Sequence, residues 1–335
     1  MAHGLVGAFM LGNLINRHDA ARITRKLRRG QVLRVVNKVQ VRGKERVVAH
    51  WSEVEPSLQQ WWAIPQMDRR WNTFASGDPA VSFPQHVADT WLAGKSGLRA
   101  LSLGSGAGER EVTWARLGVF EQITGIDISP NQVDRATRRA KELGLESVLN
   151  FRVADAHQLV DDAEQYDVVL GLHSLHHFSN LDKTMNMVTR LLRPDGLLVF
   201  DEFVGPTKFQ WTRGQLQAAN ELLSELPASR RIRADGRLKR RVVRPSLLSM
   251  RLDDPSEAVE AGNLLPALRR WFDVLEERPY GGTVLHIALS DIAQNFLDDS
   301  PETADLVEKC FVAEDKALPE LGHDFVFAVA RPKQA

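Results

Sequence analysis

The residues best suited to chemistry in this chain fall in a few short clusters. The first is Leu101-Ser102-Leu103-Gly104-Ser105-Gly106-Ala107-Gly108-Glu109. Glycines at alternate positions let a chain turn tightly and bring bare backbone against a ligand. A dinucleotide fingerprint would need glycine where Glu109 stands, and a carboxylate at a helix start would repel a pyrophosphate. The ligand of this loop need not be a phosphate. The second cluster is Gly125-Ile126-Asp127-Ile128-Ser129-Pro130. Asp127 can accept both hydroxyls of a ribose, with Ser129 a good helix cap and Pro130 a good first helical residue. The third is Val153-Ala154-Asp155-Ala156, where Asp155 can accept an adenine amino group and the backbone at Ala156 can serve the ring. The fourth, Gly171-Leu172-His173-Ser174-Leu175-His176-His177-Phe178, carries three imidazoles with pKa values naturally near neutrality. Asp201-Glu202 adds two acids that are costly to bury unless they face solvent, a ligand or a cation.

These clusters sit where an alternating pattern of elements would put them. Apolar runs at 99–103, 122–126, 149–153, 166–170 and 197–203 read as strands, and amphipathic stretches at 109–117, 129–143 and 181–192 read as helices. Short apolar strands joined by crossover helices predict a doubly wound, mostly parallel α/β sheet, with loops at the strands' carboxyl ends forming the site. After Phe203 the alternation lapses. Helices are expected over 213–226, 255–271 and 303–311, and strands over 272–278 and 324–330. The stretches 205–250 and 283–320 read as helical excursions that wall a site above the sheet.

Ahead of residue 96 lies a separate N-terminal extension, with a helix expected over 5–29 and a strand or hairpin over 31–49. It ends in a segment rich in tryptophan and phenylalanine (Trp61, Trp62, Trp71, Phe74, Phe83, Trp91) that wraps the core or lines a pocket, broken into short pieces by prolines. The balance of 43 basic and 43 acidic residues argues against a surface built wholly to grip nucleic acid. Bases nevertheless concentrate over 17–46 and 230–244, which suits either a local RNA contact or, at least as well, an anionic small molecule. A single cysteine, Cys310, excludes an intramolecular disulfide and a multi-cysteine metal site, and its apolar neighbours suggest a buried packing role. No carboxylate lies at a spacing that would complete a metal site with the histidines, so no metal is expected. No apolar run is long enough for a membrane span, and cytoplasmic residence is the default.

Together, the glycine loop, Asp127 and Asp155 make the chain resemble the class I S-adenosylmethionine-dependent methyltransferases, strongly over about residues 97–204. The stretch Arg193-Pro194-Asp195-Gly196-Leu197-Leu198-Val199-Phe200 looks like that family's turn into its fifth strand. The resemblance implies a seven-stranded sheet whose last strand inserts antiparallel, and S-adenosylmethionine as cofactor. It implies cofactor binding by Gly104, Ser105, Gly106, Gly108, Asp127, Ile128, Asp155, Ala156 and Gly171. The family usually has an acid where this chain has Ser102, so the methionine end is expected to lean on backbone carbonyls near Gly104 and Gly171. Methyl transfer to an oxygen or nitrogen of a small, anionic or aromatic acceptor is the expected reaction, with His173 the first choice of base and His177 and Glu202 its rivals. An RNA or protein methyltransferase and a non-catalytic cofactor-binding protein are the alternatives.

Overall fold

The computed structural model describes residues 60–161, 165–254 and 256–334, together with Val47. The helix expected over 5–29, the strand or hairpin over 31–49 apart from Val47, which is helical, and the basic run 17–46 lie outside the described residues.

The described chain opens with helices α1 (Gln66–Ser76) and α2 (Phe83–Trp91). There follow β1 (Leu98–Leu103), α3 (Glu109–Ala115), β2 (Phe120–Asp127), α4 (Pro130–Glu142), β3 (Leu149–Val153), β4 (Tyr166–Leu172), α5 (Leu181–Leu191) and β5 (Leu192–Phe203). The second half runs α6 (Arg213–Glu225), α7 (Leu247–Asp253), α8 (Leu264–Trp271), β6 (Phe272–Pro279), α9 (Leu285–Leu289), α10 (Pro301–Leu321) and β7 (Phe325–Pro332). The strands form one seven-stranded sheet in the order β3-β2-β1-β4-β5-β7-β6. The first five are parallel, and β7 lies antiparallel between β5 and β6, as the resemblance implied.

Side chains of one strand divide between the two faces because strand periodicity is two. Ala100, Val168, Leu170 and Val199 join one buried cluster, while Leu101, Leu103, Val169, Leu198 and Phe200 join the other. Both faces are therefore apolar, which is why β1 and β4 read as nearly continuous hydrophobic runs. Helices α5 and α8 cover the second face through Met185, Val188, Leu264 and Leu268. Helices α3 and α4 cover the first, together with residues 61–92. Trp61 is 1% exposed inside this core and stacks edge-on against Trp71, whereas Trp62 is 41% exposed.

Some element boundaries differ from the sequence reading, for local reasons. Of the prolines among 53–91, Pro56 lies outside the described residues, and Pro79 falls in the turn between α1 and α2. Pro65 and Pro84 stand at helix starts, where a missing N–H costs nothing. A helix beginning at residue 255 does not form. Gly262 and Asn263 are poor helix formers and Pro266 is tolerated only in a first turn, so α8 starts at Leu264; residue 255 itself lies outside the described residues. Helix α10 outruns its expected end at residue 311. It starts at Ser300, whose Oγ accepts from the Thr303 N–H, and stops at Gly322. Cys310 is fully buried on α10, and burial pushes its thiol up to about 12, so it packs rather than reacts.

Candidate functional site

The carboxyl ends of β1 to β5 open onto one cavity of about 2290 Å³. One half of its wall comes from the loops after β1, β2 and β3, and the other from residues 203–259 and 286–291.

The loop after β1 is fixed by its neighbours. The Ser105 N–H donates to the Ile126 carbonyl at 2.9 Å, and Arg139 of α4 donates to the Ala107 carbonyl and pairs with Glu109 at 2.8 Å. Gly104 has φ +66°, and a Cβ there would come within 2.8 Å of the Ser174 Cβ, so only glycine lets the loops after β1 and β4 meet. Gly104, Ser105 and Gly106 line the cavity. Gly108 and Gly171 do not: a Cβ on Gly108 would strike Phe151, and one on Gly171 would strike Leu175, so both serve packing. Of the glycines expected at the cofactor, these two are therefore not among the residues lining the cavity.

Asp127 ends β2 with both oxygens in use. Oδ2 accepts from the Gly106 N–H at 3.0 Å and Oδ1 from the Ser129 N–H at 2.8 Å. A carboxylate has about four lone-pair sites, so Asp127 keeps capacity for a ligand. Burial raises the Asp127 pKa against the opposing pull of these N–H donors. Ile128, Asp155 and Ala156 complete this side of the cavity, and Asp155 Oδ1 accepts from the His157 N–H at 3.0 Å.

A carboxylate that the sequence reading missed lies beside Ser102. Its hydroxyl donates to Glu111 Oε1 at 2.6 Å. Glu111 comes from α3, lines the cavity and is 1% exposed; burial raises its pKa. Its other oxygen, Oε2, is buried without a hydrogen-bond partner, as are the hydroxyls of Ser105 and Ser174 on the same wall. A carboxylate oxygen among three such atoms on one wall suits a ligand that brings a hydrogen-bond donor. No sequence rule pairs residues nine apart across a strand and a helix, which is why Glu111 escaped notice.

The segment after β4 holds the histidines. His173 adopts φ +55° on the cavity wall. Its Nε2 lies 3.0 Å from Asp201 Oδ1 and 3.3 Å from the Tyr280 hydroxyl, which itself donates to Asp201 Oδ1 at 2.7 Å. Burial would raise the Asp201 pKa, but His173, Arg110 and Tyr280 outweigh it and hold Asp201 below the usual carboxylate range. An ionised Asp201 accepts a hydrogen bond from the Nε2–H of His173 and so leaves Nδ1 as the basic atom, the logic by which a carboxylate fixes a catalytic imidazole.

Glu202 occupies a different place from the one expected. It is 0% exposed and off the cavity wall. Oε1 accepts from the Ser174 and Leu175 N–H groups at 2.7 and 2.6 Å, and Oε2 lies 2.7 Å from His176 Nδ1. Burial pushes Glu202 up to about 7. Committed to the backbone and to His176, it braces the loop after β4 and cannot reach an acceptor. His176 is buried and its pKa lies well below the ordinary value, first through burial, so it stays neutral. His177 lies on the wall beside it, with ring centroids 4.1 Å apart and Nδ1 3.5 Å from the Ser256 hydroxyl.

The far wall is aromatic and basic. His286 sits within 6.1 Å, centroid to centroid, of Phe203, Phe209, Trp211 and Phe325, and burial pushes it down to about 3, so it is a neutral aromatic ring here. Above it, the run after α6 contributes Arg233, Arg237, Arg240 and Arg241, with Arg251 from α7. Lys239 points inward instead: its ammonium donates to the carbonyls of Ile287 and Ser290 at 3.2 and 2.5 Å, and burial pulls it down to about 8. Among the described residues, the acids lining this half are Glu257 and Asp291. Among the described residues no helix is long and apolar enough to cross a membrane.

Comparison with known proteins gives a consistent result. A family model described as a methyltransferase domain matches residues 94–263. A 27-O-demethylrifamycin SV methyltransferase of Amycolatopsis mediterranei is 36% identical over 110 residues, covering 33% of this chain and 40% of that protein. A ubiquinone biosynthesis O-methyltransferase of Agrobacterium fabrum is 31% identical over 102 residues, 30% of this chain and 39% of that protein. The matched region thus spans about 40% of these relatives' length. Among solved structures, phosphoethanolamine N-methyltransferase 2 of Haemonchus contortus superposes with a TM-score of 0.50 at 15% identity, covering 88% of this chain and 61% of that one, a likeness of fold.

Proposed function

The chain belongs to the methyltransferase-domain family of class I, S-adenosylmethionine-dependent enzymes, and from that premise we propose that it methylates a hydroxyl of an anionic, aromatic small molecule. The observation that carries the proposal is a single cavity joining a nucleoside-type half at Gly104, Gly106, Asp127 and Asp155 to an aromatic and basic half at Phe209, Trp211, Arg240 and Arg241. A hydroxyl acceptor accords with the O-methyltransferase names of the two relatives and with an Asp201-backed His173 on the wall.

S-adenosylmethionine, when bound, supplies a methyl group already activated on a sulfonium. The residues present fit it. Asp127 would hold the ribose hydroxyls, Asp155 and the Ala156 backbone the adenine, and Ile128 one side of the ring. Glu111, with a buried oxygen in need of a donor, would take the ammonium of the methionine part, the role the family usually gives an acid at the place of Ser102. The chain's own task is then alignment, exclusion of water and removal of one proton. Phe203, Phe209, Trp211 and Phe325 present apolar faces to a flat acceptor, and the arginines neutralise its charge. His173 Nδ1 accepts the hydroxyl proton, and Asp201 stabilises the imidazolium so formed. His177 is the rival base. A cytoplasmic setting belongs to the same reading.

The test is transfer of labelled methyl from S-adenosylmethionine by the full chain to matched phenols with and without a carboxylate or phosphate. Turnover of the anionic phenols at a KM at least tenfold below that of the neutral ones is expected, with Arg240→Ala/Arg241→Ala abolishing the difference. Methylation of RNA or protein alone would overturn the small-molecule reading, and cofactor binding with no transfer to any class would leave a binding protein.

A further inference from the structure

We infer that His176, His177 and Glu257 form a binding site for a zinc-type divalent metal ion on the cavity wall. Nothing in the spacing of these residues announces it, because Glu257 is about eighty positions from the histidines and is brought to them only by the fold. One donor atom from each of the three residues lies within 4.8 Å of the others. His176 Nε2 is 3.8 Å from Glu257 Oε1. That is too long for a hydrogen bond. It is close to the separation of about 3.4 Å between two ligands of one tetrahedral ion with bonds of about 2.0–2.1 Å. The Glu257 side chain is part-exposed, which leaves it room to adjust toward His176.

The surroundings prepare these groups as ligands. Glu202 lies 2.7 Å from His176 Nδ1 and is itself fixed by two backbone N–H groups. A carboxylate on one imidazole nitrogen directs the other nitrogen's lone pair outward, which is the outer-shell arrangement of metal-bound histidines. Here that other nitrogen is the one facing Glu257. The Val259 N–H donates to the His176 carbonyl at 3.0 Å, so the loop carrying Glu257 is tied to the turn carrying the histidines. Two imidazoles and one carboxylate are a donor set that suits zinc and leaves a coordination position open. All three residues line the cavity, so that position faces the space assigned to the acceptor, where water or an acceptor oxygen would complete the shell.

The site can be tested without any activity, so its failure is distinguishable from failure of the proposed methyl transfer. The full chain, stripped with chelator and dialysed, is titrated with Co²⁺ and with Zn²⁺. One ion per chain is expected, with Co²⁺ giving the visible absorption bands of a low-symmetry four- or five-coordinate centre and Zn²⁺ displacing it. Glu257→Gln and His177→Ala should each weaken binding at least tenfold, and Glu202→Gln roughly 10–100-fold as an outer-shell change. His86→Ala, which removes a histidine held by Glu276 elsewhere in the fold, should leave it unchanged. Because Glu257 is partly exposed, its variant serves as the test should His177→Ala fail to fold. Absence of a spectroscopic cobalt centre, or a centre undiminished in Glu257→Gln, overturns the assignment.

Discussion

Replacing Asp127 by alanine should change two measurements at once, in amounts that the hydrogen bonds around it set. The carboxylate is proposed to hold two ribose hydroxyls, and charge-assisted hydrogen bonds of this kind contribute about 1.5–3 kcal/mol when water competes for them. The dissociation constant for S-adenosylmethionine should therefore rise roughly 10–150-fold. The same oxygens accept from Gly106 and Ser129 N–H groups inside the protein. Ser129 is buried, so its N–H loses a partner that water does not readily replace, at about 1–3 kcal/mol. A fall in Tm of a few degrees should accompany the loss of affinity. Calorimetry of cofactor binding, with thermal unfolding of the same samples, measures both. Asp127→Asn separates them: it keeps one acceptor oxygen and the side-chain volume, so it should recover much of the stability while still losing affinity. A folded Asp127→Ala protein with wild-type affinity would refute the ribose assignment. So would an affinity loss that a stabilising osmolyte restores in step with Tm, since Asp127 would then act only by holding the glycine loop.

Asp201→Asn should cut kcat by at least about 10², with cofactor affinity unchanged, because the imidazole of His173 then loses the partner that fixes its tautomer. His173→Asn should cost roughly 10²–10⁴, and the double variant should be little worse than His173→Asn alone, since the pair acts as a unit; additive losses would speak against that pairing. Asp324 is buried, receives the side-chain amide of Gln215 at 3.0 and 3.1 Å, and has its pKa raised from 3.8 to about 7 by burial. A carboxyl that binds its proton more tightly folded than unfolded contributes stability at low pH that is lost as pH rises from about 4 to 7. The full effect has a ceiling of about 4 kcal/mol. Asp324→Asn should therefore melt above the parent at pH 8, with the gap closing toward pH 4. An equal gap at both pH values would show that Asp324 stays ionised in the fold.

What the sequence revealed follows the range over which its signals act. Strand and helix periodicities in 98–203 are local, and β1 to β5 appear within a few residues of where their apolar runs predict. Positions fixed by a turn, such as Gly104, Gly106 and Asp127, were legible for the same reason. Gly108 and Gly171 lie in the same motifs, but the space each faces is filled by Phe151 and Leu175, which are distant in sequence. Glu202 looks like a reactive acid at a strand end, and nothing local reveals that two backbone N–H groups and His176 already claim it. Glu111 and Glu257 gain their meaning only from partners across the fold. Helix propensity alone misplaced the start of α8, where Gly262, Asn263 and Pro266 together decide the boundary.

The placement of β7 has a consequence for how the chain reaches this state. β7 follows β6 in sequence yet lies between β6 and β5, so β6 has no neighbour in the sheet until β7 has been made. A nascent chain can lay down β1 to β5 with the glycine loop and Asp127 before β6 and β7 emerge, because the parallel ladders among these five strands use no later strand. Phe325, which opens β7, is part of the aromatic wall, and the Tyr280 N–H is held by the Phe325 carbonyl at 3.0 Å. The half of the cavity at the glycine loop and Asp127 is thus able to form during synthesis, while the aromatic wall is completed only when Phe325 arrives. Chain breaks or insertions between residues 280 and 325 should yield a protein that still recognises the nucleoside but has lost its second substrate, a phenotype quite unlike that of a damaged glycine loop.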